Sequence, residues 1–375
     1  MRNVALDLGA KKIAFCEVAR GAVVKRMTVN RLTELEAMLG ADAPTARVVI
    51  EACREAWFVY DTLASWDNEV LLLDTTRSRQ MGVGQHRRKN DRIDAEVLAR
   101  ALERGAIAKA HVLSPHRREM RREIGVRRAL VETRAQYVTT IRGLMREQGI
   151  RLPSCSTEHF LQRLAQTTVP EHAVALVQPL LLALEIVNEQ VNVATQRLES
   201  VCAREPCVQL LTTAPGVGLV VAASFVSVID EAERFRRAHE VEAYLGLVPS
   251  ENSSGGRQRL GSITKQGNSY VRTMLVQAAW NLVRKNDRSD PLLRWTDELV
   301  RRRGKKVAIT ALARRLAGVL WAMWRDGTAY DPQHLARASA RGVRVNARSL
   351  DNHADRLERA AHPAAPTYPE EMLSD

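Results

Sequence analysis

Residues 3–29 consist of short apolar runs separated by turns. VALDL and IAFCEV flank the turn Gly9-Ala10-Lys11-Lys12, and AVVKRMTV follows Gly21. Short runs rich in apolar and β-branched residues, bounded by turn residues, predict three strands. A helical LTELEAMLG and two more apolar runs, ARVVIEAC and EVLLLDTT, come next. Strands in succession, followed by strands that alternate with helices, predict a mixed sheet covered by helices.

Helical periodicity prevails from residue 90 onward. NDRIDAEVLARALERG begins with a capping Asn90 and ends at Gly105, as a helix with ordinary end signals does. Residues 116–205 are rich in Arg, Leu, Ala and Glu, and they predict two long helices, the second interrupted near Pro179. Two such helices form either an antiparallel hairpin or an oligomerising coiled coil. Because strict heptads are not obvious, we describe this region as helical.

Residues 208–330 predict a second compact unit. In VQLLTTAPGVGLVVAASFVSVI, Gly216 and Gly218 lie between two apolar helical segments. This pattern is typical of a helix-hairpin-helix, whose backbone amides bind DNA phosphates without reading the bases, and a plain αα-corner remains an alternative. Beyond about residue 338 the chain has no apolar periodicity, which predicts a flexible tail.

These patterns together predict a fold class and a division into domains. We expect an α/β N-terminal domain of RNase H-like (RuvC-like) type with a mixed sheet, a long helical, coiled-coil-like middle, and a mainly α C-terminal domain. The predicted segments are 1–112, 113–205, 206–332 and a tail of 333–375.

Charge and cysteine content narrow the function classes. Lys and Arg total 56 against 43 Asp and Glu, a net charge of +13. Such a surplus favours polyanionic partners because neutralised phosphates release counterions, although a merely basic soluble protein would look the same. The five cysteines form no CxxC pair and no zinc-finger spacing. We expect a cytoplasmic, nucleoid-associated bacterial protein, with neither a signal peptide nor a membrane span.

Four acids form the main candidate site. Asp7 lies within the apolar strand ALDLG and Glu51 ends the apolar strand VVIE, where a charge is costly to bury without a partner. Asp91 and Asp94 are three residues apart at the start of a helix, so they project from one face. Acids on neighbouring strands repel each other unless a cation lies between them, and Mg²⁺ prefers such oxygen ligands. The helix pair alone has a simpler explanation, since acids stabilise helix N-termini.

Two neighbouring features bear on this acidic site. The run His86-Arg87-Arg88-Lys89 precedes the Asp91 helix, and it is either a phosphate-binding surface or a solvated charged loop. Asp74 also ends an apolar run, VLLL, so it is the main rival for a place among the ligands.

A second cluster lies in YLGLVPSENSSGGRQRLGSITKQGNSYVRTML. Ser253 and Ser254 precede two glycines, which let a backbone approach a ligand closely. A serine in a cationic loop could attack phosphorus, with basic residues stabilising the developing charge. From composition alone an ordinary Ser/Gly turn is the stronger interpretation. The basic residues of this cluster are Arg257, Arg259, Lys265 and Arg272.

Both clusters resemble one family, the DEDD transposases of the insertion-sequence 110 family, also described as bridge-RNA-guided recombinases. The resemblance covers roughly residues 3–330 and rests on the order of several segments. These segments are LDLG, VVIEAC, KNDRIDAEVLAR, APGVG, YLGLVP, SSGG and ITKQGNSYVRTML. One departure is LLLDTTRSRQ, where relatives often carry Asn-Pro and this chain has Asp74.

The resemblance implies an RNase H-like domain in which Asp7, Glu51, Asp91 and Asp94 bind Mg²⁺ or Mn²⁺. It implies that Ser254 is a nucleophile that becomes covalently linked to DNA, with Ser253 beside it as the alternative. The family also implies DNA partners at the element ends and the target, a noncoding guide RNA, and a homo-oligomer, dimer or tetramer, whose protomers share a composite site.

Other functions remain open on the sequence alone. A Holliday-junction-type endonuclease would use the same four acids with water as the nucleophile and no covalent intermediate. A catalytically inactive nucleic-acid-binding protein would need neither the acids nor the serine. A sugar-kinase or actin-like ATPase also begins with strand-Asp-x-Gly, but no second phosphate loop is evident in this sequence.

Overall fold

The computed structural model describes residues 1–75, 77, 91–251, 259–285 and 289–333, without the side chains of 91–93. The chain divides into two compact units, Met1–Leu113 and Ser114–Asp375. The predicted tail, apart from residue 333, and the segments that carry Arg87, Arg88, Lys89, Ser253, Ser254 and Arg257 lie outside the described residues.

The first unit is built on a five-stranded sheet. Its strands have the order β3-β2-β1-β4-β5, with β1 antiparallel to β2, β2 antiparallel to β3, and β1, β4 and β5 mutually parallel. The predicted mixed sheet is therefore confirmed. The strands are β1 (Arg2–Leu8), β2 (Ile13–Ala19), β3 (Ala22–Val29), β4 (Ala46–Glu51) and β5 (Glu69–Leu73). The helices are a 3₁₀ turn (Leu32–Leu35), α1 (Glu36–Leu39), α2 (Ala56–Ser65) and α3 (Asp91–Glu103).

The two faces of this sheet bury different apolar side chains, as the alternation of a strand requires. Leu6 of β1 and Ile50 of β4 contribute to one core, which also contains side chains of α1 and α2. Ala5 of β1 and Val49 of β4 contribute to the other core, beneath α3. The residues of α3 in this second core are Ala95, Leu98, Ala99 and Leu102. Their spacing of three and four residues forms one stripe along the helix.

The described part of the second unit is mainly helical, which confirms the prediction of a helical middle region and a mainly α C-terminal domain. Its first two long helices, α4 (Pro115–Glu147) and α6 (Glu171–Cys202), pack antiparallel, since Met145 shares a core with Val177 and Met120 shares one with Leu198. The remaining helices are α5 (Phe160–Ala165), α7 (Pro206–Thr212), α8 (Leu219–Ile229), α9 (Ala238–Tyr244), α10 (Ser269–Lys285), α11 (Pro291–Arg303) and α12 (Lys305–Asp326). A 3₁₀ turn (Ala232–Arg234) and an antiparallel pair, β6 (Pro249–Glu251) and β7 (Leu260–Ile263), complete it.

Two of these helices, α6 and α12, are long and apolar enough by composition to cross a membrane, whereas the sequence pattern predicts no membrane span. In α12, Leu312, Leu316 and Leu320 are fully buried in the core of the second unit, so packing accounts for its apolar content. In α6, one face packs against α4, and Leu182 and Ile186 on another face are exposed.

Candidate functional site

Asp7 and Glu51 lie side by side on neighbouring strands. β1 and β4 are parallel, with Leu6 opposite Ile50, and the two acids come one residue later on each strand. Adjacent strands are about 4.8 Å apart. Side chains alternate along a strand, so Asp7 shares the face of Ala5 and Glu51 shares the face of Val49. Both half-buried acids therefore belong to the sheet face that α3 covers.

Contacts along α3 establish the direction in which it crosses this face. At its C-terminal end, the Gly21 N–H donates to Glu103 Oε2 at 3.1 Å, and Arg100 Nη1 donates to the Gly21 carbonyl at 2.6 Å. Gly21 lies in the turn after β2, at the sheet edge where β1 begins. The N-terminus of α3 consequently points to the opposite edge, where Asp7 and Glu51 lie.

The start of α3 lies at this same edge. Asp91 is its first residue and Asp94, which is half-buried, follows within the first turn. The described residues include no group of three or more His, Cys, Asp or Glu side chains close enough to hold one metal ion. The structure thus places Asp7, Glu51 and Asp94 at the same end of the strands, on the face that α3 covers, but not close enough together to hold one metal ion. Carboxylate oxygens at one corner are the donor set that suits Mg²⁺.

Asp74, the predicted rival ligand, has a local role. Its Oδ1 accepts a hydrogen bond from the backbone N–H of Arg77 at 3.0 Å, and its Oδ2 lies 3.6 Å from Arg77 Nε. Its own N–H donates to the carbonyl of Ala108. An acid that accepts from an N–H three residues later is a typical capping group. This contact gives the Asp74 carboxylate a structural role after β5.

The predicted hairpin around APGVG is a tight turn between α7 and α8. Gly216 has φ of +81°, and a Cβ at this position would lie 2.5 Å from the Ala278 carbonyl oxygen. The turn borders a cavity of about 490 Å³. Arg284 and Lys285, at the end of α10, also line this cavity and are exposed. The sequence pattern does not indicate these two residues, because only folding brings the end of α10 to the turn.

Residues on either side of the segment that carries Ser253 and Ser254 are paired, since Glu251 of β6 lies opposite Leu260 of β7. The segment itself, 252–258, lies outside the described residues. Arg259 and Lys265, both predicted to bind nucleic acid, follow it and are exposed.

Arg272, the last of the predicted nucleic-acid-binding residues, contacts the protein itself. Its Nη1 donates to the carbonyls of Leu245, Gln266 and Gly267 at 3.1, 2.6 and 3.2 Å. Burial lowers the pKa of the Arg272 guanidinium. The side chain joins the segment before β6 to the segment after β7. The sequence pattern did not indicate this structural role of Arg272.

Comparison with known proteins identifies the class of enzyme. A family model described as "Transposase IS116/IS110/IS902 family" matches residues 208–293, and a DEDD model of the IS110 type, described as "Transposase", matches residues 4–149. A probable family 20 transposase of Pseudomonas aeruginosa is 29% identical over 296 residues, which are 77% of this chain and 87% of that protein.

Two further relatives cover more of the chain. The transposase for insertion sequence element IS1111A of Coxiella burnetii is 28% identical over 333 residues, or 86% of this chain and 89% of the relative. The transposase for insertion sequence element IS1328 of Yersinia enterocolitica is 27% identical over 338 residues, or 87% and 98%. The protein is a transposase, an enzyme that cleaves and rejoins DNA. It belongs to the IS110 family, as its resemblance to that family indicated.

Proposed function

We propose that the first unit is an RNase H-like nuclease domain in which Asp7, Glu51, Asp91 and Asp94 bind Mg²⁺ or Mn²⁺. The observation that carries the proposal is the position of two half-buried acids on adjacent strands, on the face that α3 covers and at the edge to which its N-terminus points. The strand order β3-β2-β1-β4-β5 supports the RNase H-like assignment. A bound divalent ion supplies charge for phosphodiester chemistry, by polarising the phosphoryl group and activating the attacking oxygen.

We propose Ser254 as the nucleophile of the second unit. Its Oγ forms a bond to phosphorus as the bond from phosphorus to one deoxyribose oxygen breaks. The serine proton is lost, and the leaving oxygen takes up a proton. Attack of a second DNA hydroxyl on the serine phosphodiester reverses these changes and rejoins the strand, so the cycle needs no external energy source. Ser253 is the neighbouring alternative.

The partners that we propose are the element ends, the target DNA and a noncoding guide RNA, bound by a dimer or tetramer. Support comes from the net charge of +13 and from family membership. We assign DNA phosphates to Arg284 and Lys285 beside the APGVG turn, and to the basic residues Arg87, Arg88, Lys89, Arg257, Arg259 and Lys265. Arg272 belongs to the same proposed set, and its Nη1 also donates to three backbone carbonyls of the protein.

A nicked DNA substrate tests the serine chemistry directly. With Mg²⁺ and the noncoding RNA transcribed beside the gene, the wild-type chain is expected to form a covalent protein–DNA adduct that survives denaturation. Ser254→Ala should abolish the adduct, and Ser253→Ala serves as the matched control. Cleavage without any adduct would instead indicate water as the nucleophile, as in a Holliday-junction-type endonuclease. Neither cleavage nor adduct, with all components present, would contradict a catalytic role.

Metal binding can be tested apart from cleavage. Asp7→Asn removes a charge while keeping the side-chain shape, so the fold should persist and Mn²⁺ affinity, measured by calorimetry, should fall at least tenfold. Asp42→Asn changes an exposed acid in the same unit and should leave Mn²⁺ binding unchanged. Equal Mn²⁺ affinities for the two variants would exclude Asp7 as a ligand.

A further inference from the structure

A second cavity in the second unit has no role in the chemistry above. It has a volume of about 390 Å³ and lies between α4, α8 and the start of α10. Its wall includes Arg121 and Arg128 from α4, Ser224 from α8, and Ser269 and Tyr270 from α10. Cations, a hydroxyl and the start of a helix thus line one space.

The buried hydroxyl of Ser224 is the strongest indication that the cavity binds a polar group. The residue is only 1% exposed, and its hydroxyl has no hydrogen-bond partner among the residues that the structure describes. One helical turn later, Ser227 is equally buried, but its hydroxyl donates to the Ser224 carbonyl at 3.0 Å. A buried hydroxyl without a partner costs free energy, which a hydrogen-bond acceptor in the cavity would recover.

The start of α10 contributes donors to the same space. The first N–H groups of a helix have no acceptor within the helix. The Asn268 side chain accepts from Val271 N–H at 3.1 Å, and the Asn268 carbonyl accepts from Arg272 N–H. Within the part of the chain that the structure describes, the N–H groups of Ser269 and Tyr270 have no acceptor. Together with the helix dipole they favour an anion.

The charged side chains around the cavity add positive potential. Burial lowers the pKa of the Arg121 guanidinium, and a bound anion would offset that cost. The Arg128 guanidinium lies 4.9 Å from the centre of the Tyr270 ring, and its Nε donates to Glu132 at 2.7 Å. Glu132 is the acid facing Arg128 and is itself exposed. Tyr270 and Glu132 therefore orient Arg128, and its terminal nitrogens form no hydrogen bond with the residues that the structure describes.

We propose that this cavity binds an oxyanion, specifically a phosphodiester group of a nucleic-acid strand, through Arg121, Arg128, Ser224 and the first amides of α10. The nucleic-acid identity of the ligand rests on the proposed function, and the oxyanion chemistry does not. The site would hold a strand by its backbone without reading its bases, as phosphate contacts do.

Binding experiments without metal test the cavity separately from catalysis. The full chain in EDTA is compared in inorganic phosphate and in chloride of equal ionic strength, and phosphate should raise the melting temperature of the wild type. Binding of a fluorescently labelled oligonucleotide is then followed by anisotropy at several salt concentrations. Arg128→Met should weaken binding roughly three- to tenfold and reduce the slope of log affinity against log salt by about one.

Two variants separate this effect from general charge loss and from misfolding. Arg122→Met removes an exposed arginine of α4 that does not line the cavity. This variant should retain the phosphate-induced rise in melting temperature and most of the oligonucleotide affinity. Ser224→Ala removes only the buried hydroxyl, so the protein without phosphate should be as stable as the wild type or more so. Its phosphate-induced shift should nevertheless be smaller.

The outcomes distinguish the possible ligands. A phosphate shift that depends on Ser224 and Arg128, with oligonucleotide binding equal in Arg128→Met and Arg122→Met, would overturn the phosphodiester assignment and leave a site for free phosphate. No phosphate shift in the wild type would overturn the oxyanion site altogether. Loss of the protein–DNA adduct in Ser254→Ala does not bear on either result, because no cleavage occurs in EDTA.

Discussion

Residue chemistry alone does not determine what an arginine does in this protein. Arg272 and Lys265 are close in sequence and both follow the serine loop. Lys265 is exposed, whereas Arg272 donates to three backbone carbonyls. Guanidinium groups suit such multiple acceptors because their donors are arranged in a rigid plane. Arg272 therefore has a structural role that Lys265 lacks, because it links the segment before β6 to the segment after β7.

Substitution of these two residues should separate the two roles. Arg272→Met leaves three carbonyls without their donor, and we expect it to lower the free energy of unfolding by about 1–3 kcal/mol. Lys265→Met should leave the free energy of unfolding nearly unchanged and reduce DNA affinity slightly, as loss of one exposed charge does. Chemical denaturation and DNA binding of both variants check this. A fully stable Arg272→Met with weakened DNA binding would mean that Arg272 acts at the nucleic-acid interface and does not stabilise the fold.

At the scale of elements, the direction of α3 across the sheet determines which acids lie near each other in the candidate site. The stripe Ala95, Leu98, Ala99 and Leu102 attaches α3 to the sheet, and the contacts of Gly21 with Arg100 and Glu103 determine which end of α3 lies at which edge. Since the strand acids lie at the far edge, the N-terminal end of α3 is directed toward them. Packing between elements also determines the surroundings of the APGVG turn. Because Gly216 packs on α10, Arg284 and Lys285 at the end of α10 lie beside the turn.

The basic end of α10 should contribute to DNA binding without sequence preference. The double variant Arg284→Gln, Lys285→Gln removes two exposed charges beside the turn. We expect the salt slope of DNA binding to fall by up to about two and the affinity to drop similarly on unrelated sequences. Arg301→Gln, Arg302→Gln is the matched control, because it removes two exposed charges at the end of α11. Equal effects of the two double variants would indicate general electrostatics and no specific role for the turn.

At the scale of the whole molecule, the two units have separate cores. One core lies on each face of the sheet in the first unit, and the apolar residues around α12 form a further core in the second. Compact units with their own cores can unfold independently. Each unit also contains a fully buried cysteine, Cys16 in the first and Cys202 in the second.

Thiol labelling in denaturant should report the two units separately. Cys53 is exposed and should react in the native protein, whereas Cys16 and Cys202 should react only as their unit unfolds. Burial raises the pKa of Cys202 to about 11, which further slows its reaction because the thiolate is the reactive form. We expect different denaturant midpoints for Cys16 and Cys202, measured by mass spectrometry. Coincident midpoints would mean that the units unfold as one cooperative body.

The order of elements and the kind of chemistry follow from local sequence. Short apolar runs bounded by turn residues predict the five strands, helical periodicity predicts the long helices, and acids within apolar runs indicate a carboxylate site at Asp7 and Glu51. These signals depend on neighbours a few residues apart. The predictions for Asp74 and Arg272 rest on the same short-range signals, and the structure adds contacts within the protein that those signals do not indicate.

Tertiary structure alone decided which residues act together. The register of β1 with β4 puts Asp7 beside Glu51, and a shift of one residue would have turned one acid to the opposite face. Packing likewise brought Ser224, Arg128 and the start of α10 around one cavity, although they are far apart in the sequence. Composition and periodicity determine which chemistry is present, because they are properties of short segments. Register and helix direction determine where it is assembled, because they depend on contacts between distant segments.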